Sequence, residues 1–224
     1  MQRHFDEELA DLKQDILKMG TMVEEAIFQS VESLKQLSVE NAKRVIADDQ
    51  LVDELELKIE QRCLDLLALR QPMASDLRFI TMAMKITNEL ERMADLAVDI
   101  AQRVLGLTDK PLLKPLVDIP KLTKIAQNMT RDVINAFINK DIELAKQVIF
   151  TDPEADKLRN FVQEELINDF MAKDPETATR AVPLLLIARH LERICDHATN
   201  IAEDVIYITS AKVVKHHPEE LQGH

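Results

Sequence analysis

Apolar residues recur every three or four positions from the start of the chain: Phe5, Leu9, Leu12, Ile16, Met19, Val23, Ile27, Val31 and Leu34. That spacing is one face of an α-helix. It predicts a first helix from Arg3 to Leu37, which Gly20 weakens without ending. Ser38 is a good N-cap for a second helix that stops before Pro72, with Val45, Val52, Leu55, Ile59, Leu66 and Leu69 near one stripe. A third helix is predicted from Ser75 to Gly106, with Leu90, Ala94, Ala97, Ala101 and Val104 as its seam. Pro111, Pro115 and Pro120 then break the pattern. Three more helices follow: Lys121 to Asn139; Asp141 to Lys173, kinked at Pro153; and one capped by Asp174 with Pro175 in first place, bent at Pro183 and reaching Ala211.

The second set repeats the first. Leu90-Glu91-Arg92-Met93-Ala94-Asp95 returns 101 positions later as Leu191-Glu192-Arg193-Ile194-Cys195-Asp196. Glu40, Ala42, Lys43, Val45, Ile46, Asp49 and Asp53 return 103 positions later as Glu143, Ala145, Lys146, Val148, Ile149, Asp152 and Asp156. The expected fold is all-α: two tandem antiparallel three-helix bundles with an internal pseudo-twofold repeat. The expected boundaries are 1–112 for the first bundle, 113–211 for the second and 212–224 for a disordered tail.

Composition agrees with long helices, since the 224 residues hold 46% hydrophobic side chains but only 4% aromatic ones and three glycines. A net charge of -12 argues against nucleic-acid binding, which needs a basic surface. It suits metal cations or basic protein patches. Cys63 and Cys195 lie far apart inside helical patterns and read as reduced core thiols of a cytosolic protein. The charged start, Met1-Gln2-Arg3-His4-Phe5-Asp6, shows no signal peptide, and the uncharged run from Ala181 to Ala188 is far short of the ~20 residues of a membrane span.

The candidate chemistry lies in paired carboxylates. Asp49 with Asp53, Glu91 with Asp95, Asp152 with Asp156 and Glu192 with Asp196 are each four apart, so each pair shares a helix face. A short connection makes the second and third helices an antiparallel hairpin, in which residues equidistant from the turn lie side by side. The numbers of Asp49 and Asp95, and of Asp53 and Glu91, average to 72, the turn proline. Those of Asp152 and Asp196, and of Asp156 and Glu192, average to 174, the capping aspartate. One turn further stand Asp99 and Asn200, both oxygen donors. Carboxylates gathered in this way need a counter-charge, and an all-oxygen set suits hard cations such as magnesium, calcium, manganese or ferric iron. The competing reading is a solvated acidic face paired with Lys or Arg.

Other groups carry less. Glu7, Asp11 and Asp15 form an acidic row on the first helix with no clear counterpart on the fourth, and read as a solvated face. His190 and His197 lie off the carboxylate face, and His197 reads as locally hydrogen-bonded. The Glu-x-x-His pair of di-iron bundles is absent from the sequence. Met73, Met82, Met84 and Met93 read as core filler. Arg92 and Arg193 flank the carboxylate rows, placed either to orient a ligand or to form a surface pair.

The turn segment Arg70-Gln71-Pro72-Met73-Ala74-Ser75-Asp76-Leu77-Arg78 and the two Leu-Glu-Arg motifs resemble the PhoU family, bacterial regulators of phosphate uptake, over almost the whole chain to about Tyr207. The resemblance implies multinuclear clusters of iron or another metal (manganese, magnesium or zinc) on Asp49, Asp53, Glu91, Asp95 and Asp99, and on Asp152, Asp156, Glu192 and Asp196 with Asn200 as a weaker donor. Asn200, Pro153 and Lys173-Asp174-Pro175-Glu176, in place of the turn signature, are departures in the second copy. It also implies a cytoplasmic protein that assembles as a homodimer. The implied function is negative regulation of the phosphate-starvation response, coupling a phosphate ABC transporter and its ATPase to a sensor histidine kinase of a two-component system, without catalysis. The competing functions are a carboxylate-bridged metalloenzyme and a metal-free helical scaffold.

Overall fold

The computed structural model describes residues 2–210; the tail expected from Lys212 lies outside the described residues. These residues form six α-helices and no strand: α1 (Gln2–Gln36), α2 (Val39–Arg70), α3 (Ala74–Leu105), α4 (Asp118–Asn139), α5 (Ile142–Glu165) and α6 (Ala178–Ser210). Each predicted helix is present. Three edges differ. Pro120 falls in the first turn of α4 rather than before it, where a missing N–H costs nothing because that turn has no partner for it. The predicted end of α5 becomes a π-helical turn, Leu166–Met171. Asp174 caps a short 3-10 turn, Pro175–Thr177, that leads into α6.

The repeat extends to the hydrogen bonds of the turns. After α1, the Ser38 N–H donates to the Ser33 carbonyl at 2.9 Å; after α4, the Asp141 N–H donates to the Ala136 carbonyl at 2.9 Å. Leu37 (φ 48°) and Lys140 (φ 56°) both take the left-handed conformation that such a helix end requires. Ser38 and Asp141 then cap the next helix, accepting from the Asn41 and Leu144 N–H groups.

Within each repeat the three helices pack together, and the repeats meet along α3 against α6 and α1 against α4. The Lys85–Asp204 ion pair at 2.7 Å and the approach of His190 to Asp99 at 3.9 Å show that α3 and α6 run antiparallel. Apolar residues of all six helices join in one core. Both cysteines are free and buried.

Two apolar expectations fail. Leu69 is 73% exposed: three positions past Leu66, it is turned roughly 60° around the helix, away from the side holding Cys63. Met73 is 80% exposed because it belongs to the turn before α3 rather than to a helix face. Met93 is fully buried, and Met82 and Met84 pack partly against the core. The acidic row of α1 is not simply solvated either. Asp15 pairs with Lys58 at 2.9 Å and Arg62 at 3.4 Å, and Asp11 with Arg62 at 3.5 Å, tying α1 to α2.

Gly20 marks the close approach of α1 to α4. A Cβ there would stand 2.2 Å from Ile134 Cδ1. Gly20→Leu is expected to lower stability by about 1–3 kcal/mol through overpacking, measured by chemical denaturation. A variant as stable as the parent would show that this contact yields freely.

Candidate metal centre

The α2–α3 hairpin brings the first carboxylates together in the register that the sequence predicts. Burial, then Asp53 and Asp95, push the Asp49 carboxyl up to about 6. Burial, then Asp95, Glu56 and Asp53, push Glu91 up to about 7, against the opposing pull of Arg92. Asp95 is raised by burial, Asp53 and Asp99. Such mutual repulsion means that the groups share one space. Asp49, Asp53, Glu56, Glu91 and Asp95 have no ion pair with Lys, Arg or His among the described residues. A groove of about 350 Å³ between α1 and α2, lined by Met22, Ala26, Val45 and Val52 among others, has Asp49 on its wall.

In the second repeat, burial, then Asp196 and Asp156, push Asp152 up to about 6, while the nearby Thr199 side chain works the other way. Asp196 is raised by burial, Glu192 and Asp156, opposed by His197 and Arg193. Here a cation is present. Arg159 Nη2 donates to Glu192 Oε1 at 3.0 Å and lies 4.0 Å from Asp156 Oδ1.

The flanking residues divide between the clusters and the seam joining the repeats. Asp99 raises Asp95 but also stands 3.9 Å from His190 Nδ1 across that seam. The Asn200 side-chain amide is 3.4 Å from Glu89 Oε2, in the seam. His197 Nδ1 lies 2.7 Å from the same oxygen, so His197 is hydrogen-bonded, but across the seam rather than locally as expected. Arg92 pairs with Glu89 at 3.6 Å. Arg193 makes itself felt electrostatically at Asp196 and His190. His190 is buried with no hydrogen bond to either ring nitrogen.

Four contributors escaped the sequence reading: Glu56, Asn88, Arg159 and Thr199. Glu56 is raised by burial, Glu60 and Asp53, and its hydrogen bond with Asn88 pulls it down. A signal was available for three of them: Glu56 and Asn88 also average to residue 72. Arg159 stands 103 positions after Glu56, so the repeat offset identifies it as the substituted position.

Among the described residues, no three His, Cys, Asp or Glu side chains are gathered closely enough, as they stand, to hold one ion. The first cluster nevertheless fits a hard cation by the chemistry of its donors: all are carboxylate oxygens, partly buried, and none is ion-paired. The second has the same donor type with part of its charge already balanced.

The sequence pattern of the PhoU domain matches residues 16–104 and again 119–205. A phosphate-specific transport system accessory protein PhoU homolog of Aquifex aeolicus is 42% identical over 209 residues, covering 93% of this chain and 94% of its own. A protein of the same description from Caulobacter vibrioides is 35% identical, covering 97% and 95%. The crystal structure of PhoU from Pseudomonas aeruginosa superposes with a TM-score of 0.87 at 33% identity, covering 93% of this chain and 100% of that one. The two matched segments are the helices that carry the two carboxylate clusters, and the chain belongs to the PhoU family.

Proposed function

We propose that the protein is a negative regulator of phosphate uptake and of the phosphate-starvation response. It acts from the cytosol as an adaptor, holding a sensor histidine kinase in its signal-off state through a phosphate ABC transporter and its ATPase. Its role is binding rather than catalysis, it works as a homodimer, and the carboxylate clusters hold iron, manganese, magnesium or zinc. The observation that carries this reading is the match of both repeats to the PhoU domain, together with relatives described as phosphate-specific transport accessory proteins over nearly the full chain. Long helices supply the docking faces, and Leu51, Leu57 and Leu64 are exposed on α2. No helix among the described residues is long and apolar enough to cross a membrane.

Deleting the gene is expected to leave phosphate-starvation genes expressed in phosphate-rich medium. The tagged protein should retain the kinase or the transporter ATPase from phosphate-replete cells. With a net charge of -12 favouring a basic partner patch, retention should weaken as salt rises. Normal repression in the deletion strain, with no second copy of the gene, would remove this reading.

A further inference from the structure

We infer that Arg159 is a built-in counter-cation that makes the second carboxylate cluster the weaker metal site of the two. This rests on the reading of the clusters as metal sites. The repeat aligns six positions: Asp49, Asp53, Glu56, Glu91, Asp95 and Asp99 with Asp152, Asp156, Arg159, Glu192, Asp196 and Asn200. Four keep their carboxylate and two lose it. The first set carries six formal negative charges when ionised; the second carries four, less one for the guanidinium, leaving three.

Geometry places Arg159 where a cation would sit. Its Nη2 takes Glu192 Oε1 at 3.0 Å and approaches Asp156 Oδ1 at 4.0 Å, while its Nη1 donates to Asn160 Oδ1 at 2.6 Å. The guanidinium is thus held at both ends, and its Nε is buried without a partner. Arginine keeps its charge at any working pH. A metal entering here must either displace Arg159 from Glu192, leaving a partly buried cation unpaired, or bind beside a like charge. Among the described residues, no cation is ion-paired with the first cluster: Arg92, whose charge reaches Glu91, is engaged by Glu89.

The test titrates the full, chelator-treated chain with Mn²⁺, counts free ion by electron paramagnetic resonance, and follows melting temperature alongside. Asp95→Asn and Asp196→Asn assign each binding class to its cluster. The parent should show a tight class at the first cluster and a second class weaker by about 10–100-fold, the range typical of altered metal surroundings. Arg159→Glu should tighten the second class and, in chelator, lower the melting temperature. Arg159→Gln should tighten it less, and Glu56→Arg should weaken the first class, which keeps the test decisive if Arg159→Glu does not fold. Equal affinities in the parent, or folded Arg159 variants with the second class unchanged, would overturn the inference. Absence of Mn²⁺ binding at both clusters would instead overturn the metal reading on which it rests.

Discussion

Asp49→Asn combined with Asp95→Asn is expected to stabilise the metal-free protein while abolishing metal uptake at the first cluster. Both carboxyls are raised first by burial and then by neighbouring carboxylates, Asp49 to about 6. A carboxyl whose folded pKa is raised favours the native state when protonated. That contribution is fully present below its ordinary range near 4 and is lost as pH rises through about 6. At neutral pH the native state therefore carries repulsion that Asn removes. Both groups are partly exposed, so solvent screening reduces the gain to about 1–2 kcal/mol, or several degrees in melting temperature. The parent should melt higher at pH 5 than at pH 7.5 in chelator, and the double variant should show a shallower dependence. With metal at about 100 times its dissociation constant the order reverses, since ligation then adds about 2.7 kcal/mol to the parent alone. The second cluster, built by a separate hairpin, should keep its metal. A double variant less stable than the parent in chelator, or one that still binds at the first cluster, would contradict this account.

Phe137→Ala should be among the most destabilising single changes in the protein. Phe137 is fully buried on α4, and its ring stacks on that of Phe79 from α3, with centroids 4.7 Å apart and planes 3° from parallel. The pair joins a helix of the first repeat to one of the second. Removing the ring forfeits its burial and leaves a cavity that two repeats, each held by its own packing, cannot easily close. The loss should be about 3–5 kcal/mol, lowering the melting temperature by on the order of 10 °C for a chain of this size. A loss below about 1 kcal/mol would mean that the junction repacks.

The six helices and the hairpin register were legible in the sequence because both depend on local rules. Apolar spacing defines a helix face, and a short turn makes residue numbers predict neighbours. Thus Asp49 was expected beside Asp95, and Asp152 beside Asp196, as the structure has them. Ser38 and Asp141 were likewise readable as caps. The repeat offset could also have pointed to Arg159 in the place of Glu56, but no local rule says whether that guanidinium turns toward Glu192 or toward water. Its 3.0 Å bond to Glu192 is a matter of side-chain direction in the packed hairpin. The seam between the repeats was illegible for a stronger reason. Lys85 meets Asp204 and Glu89 meets His197 across more than a hundred residues, and such pairings follow from how whole helix faces dock. The sequence by itself determined helices, caps and which carboxylates stand level, because each follows from spacing along one or two adjoining helices. Only the tertiary structure decided which of those carboxylates are left without a counter-charge, because that depends on cations delivered by packing and on how far burial withholds water.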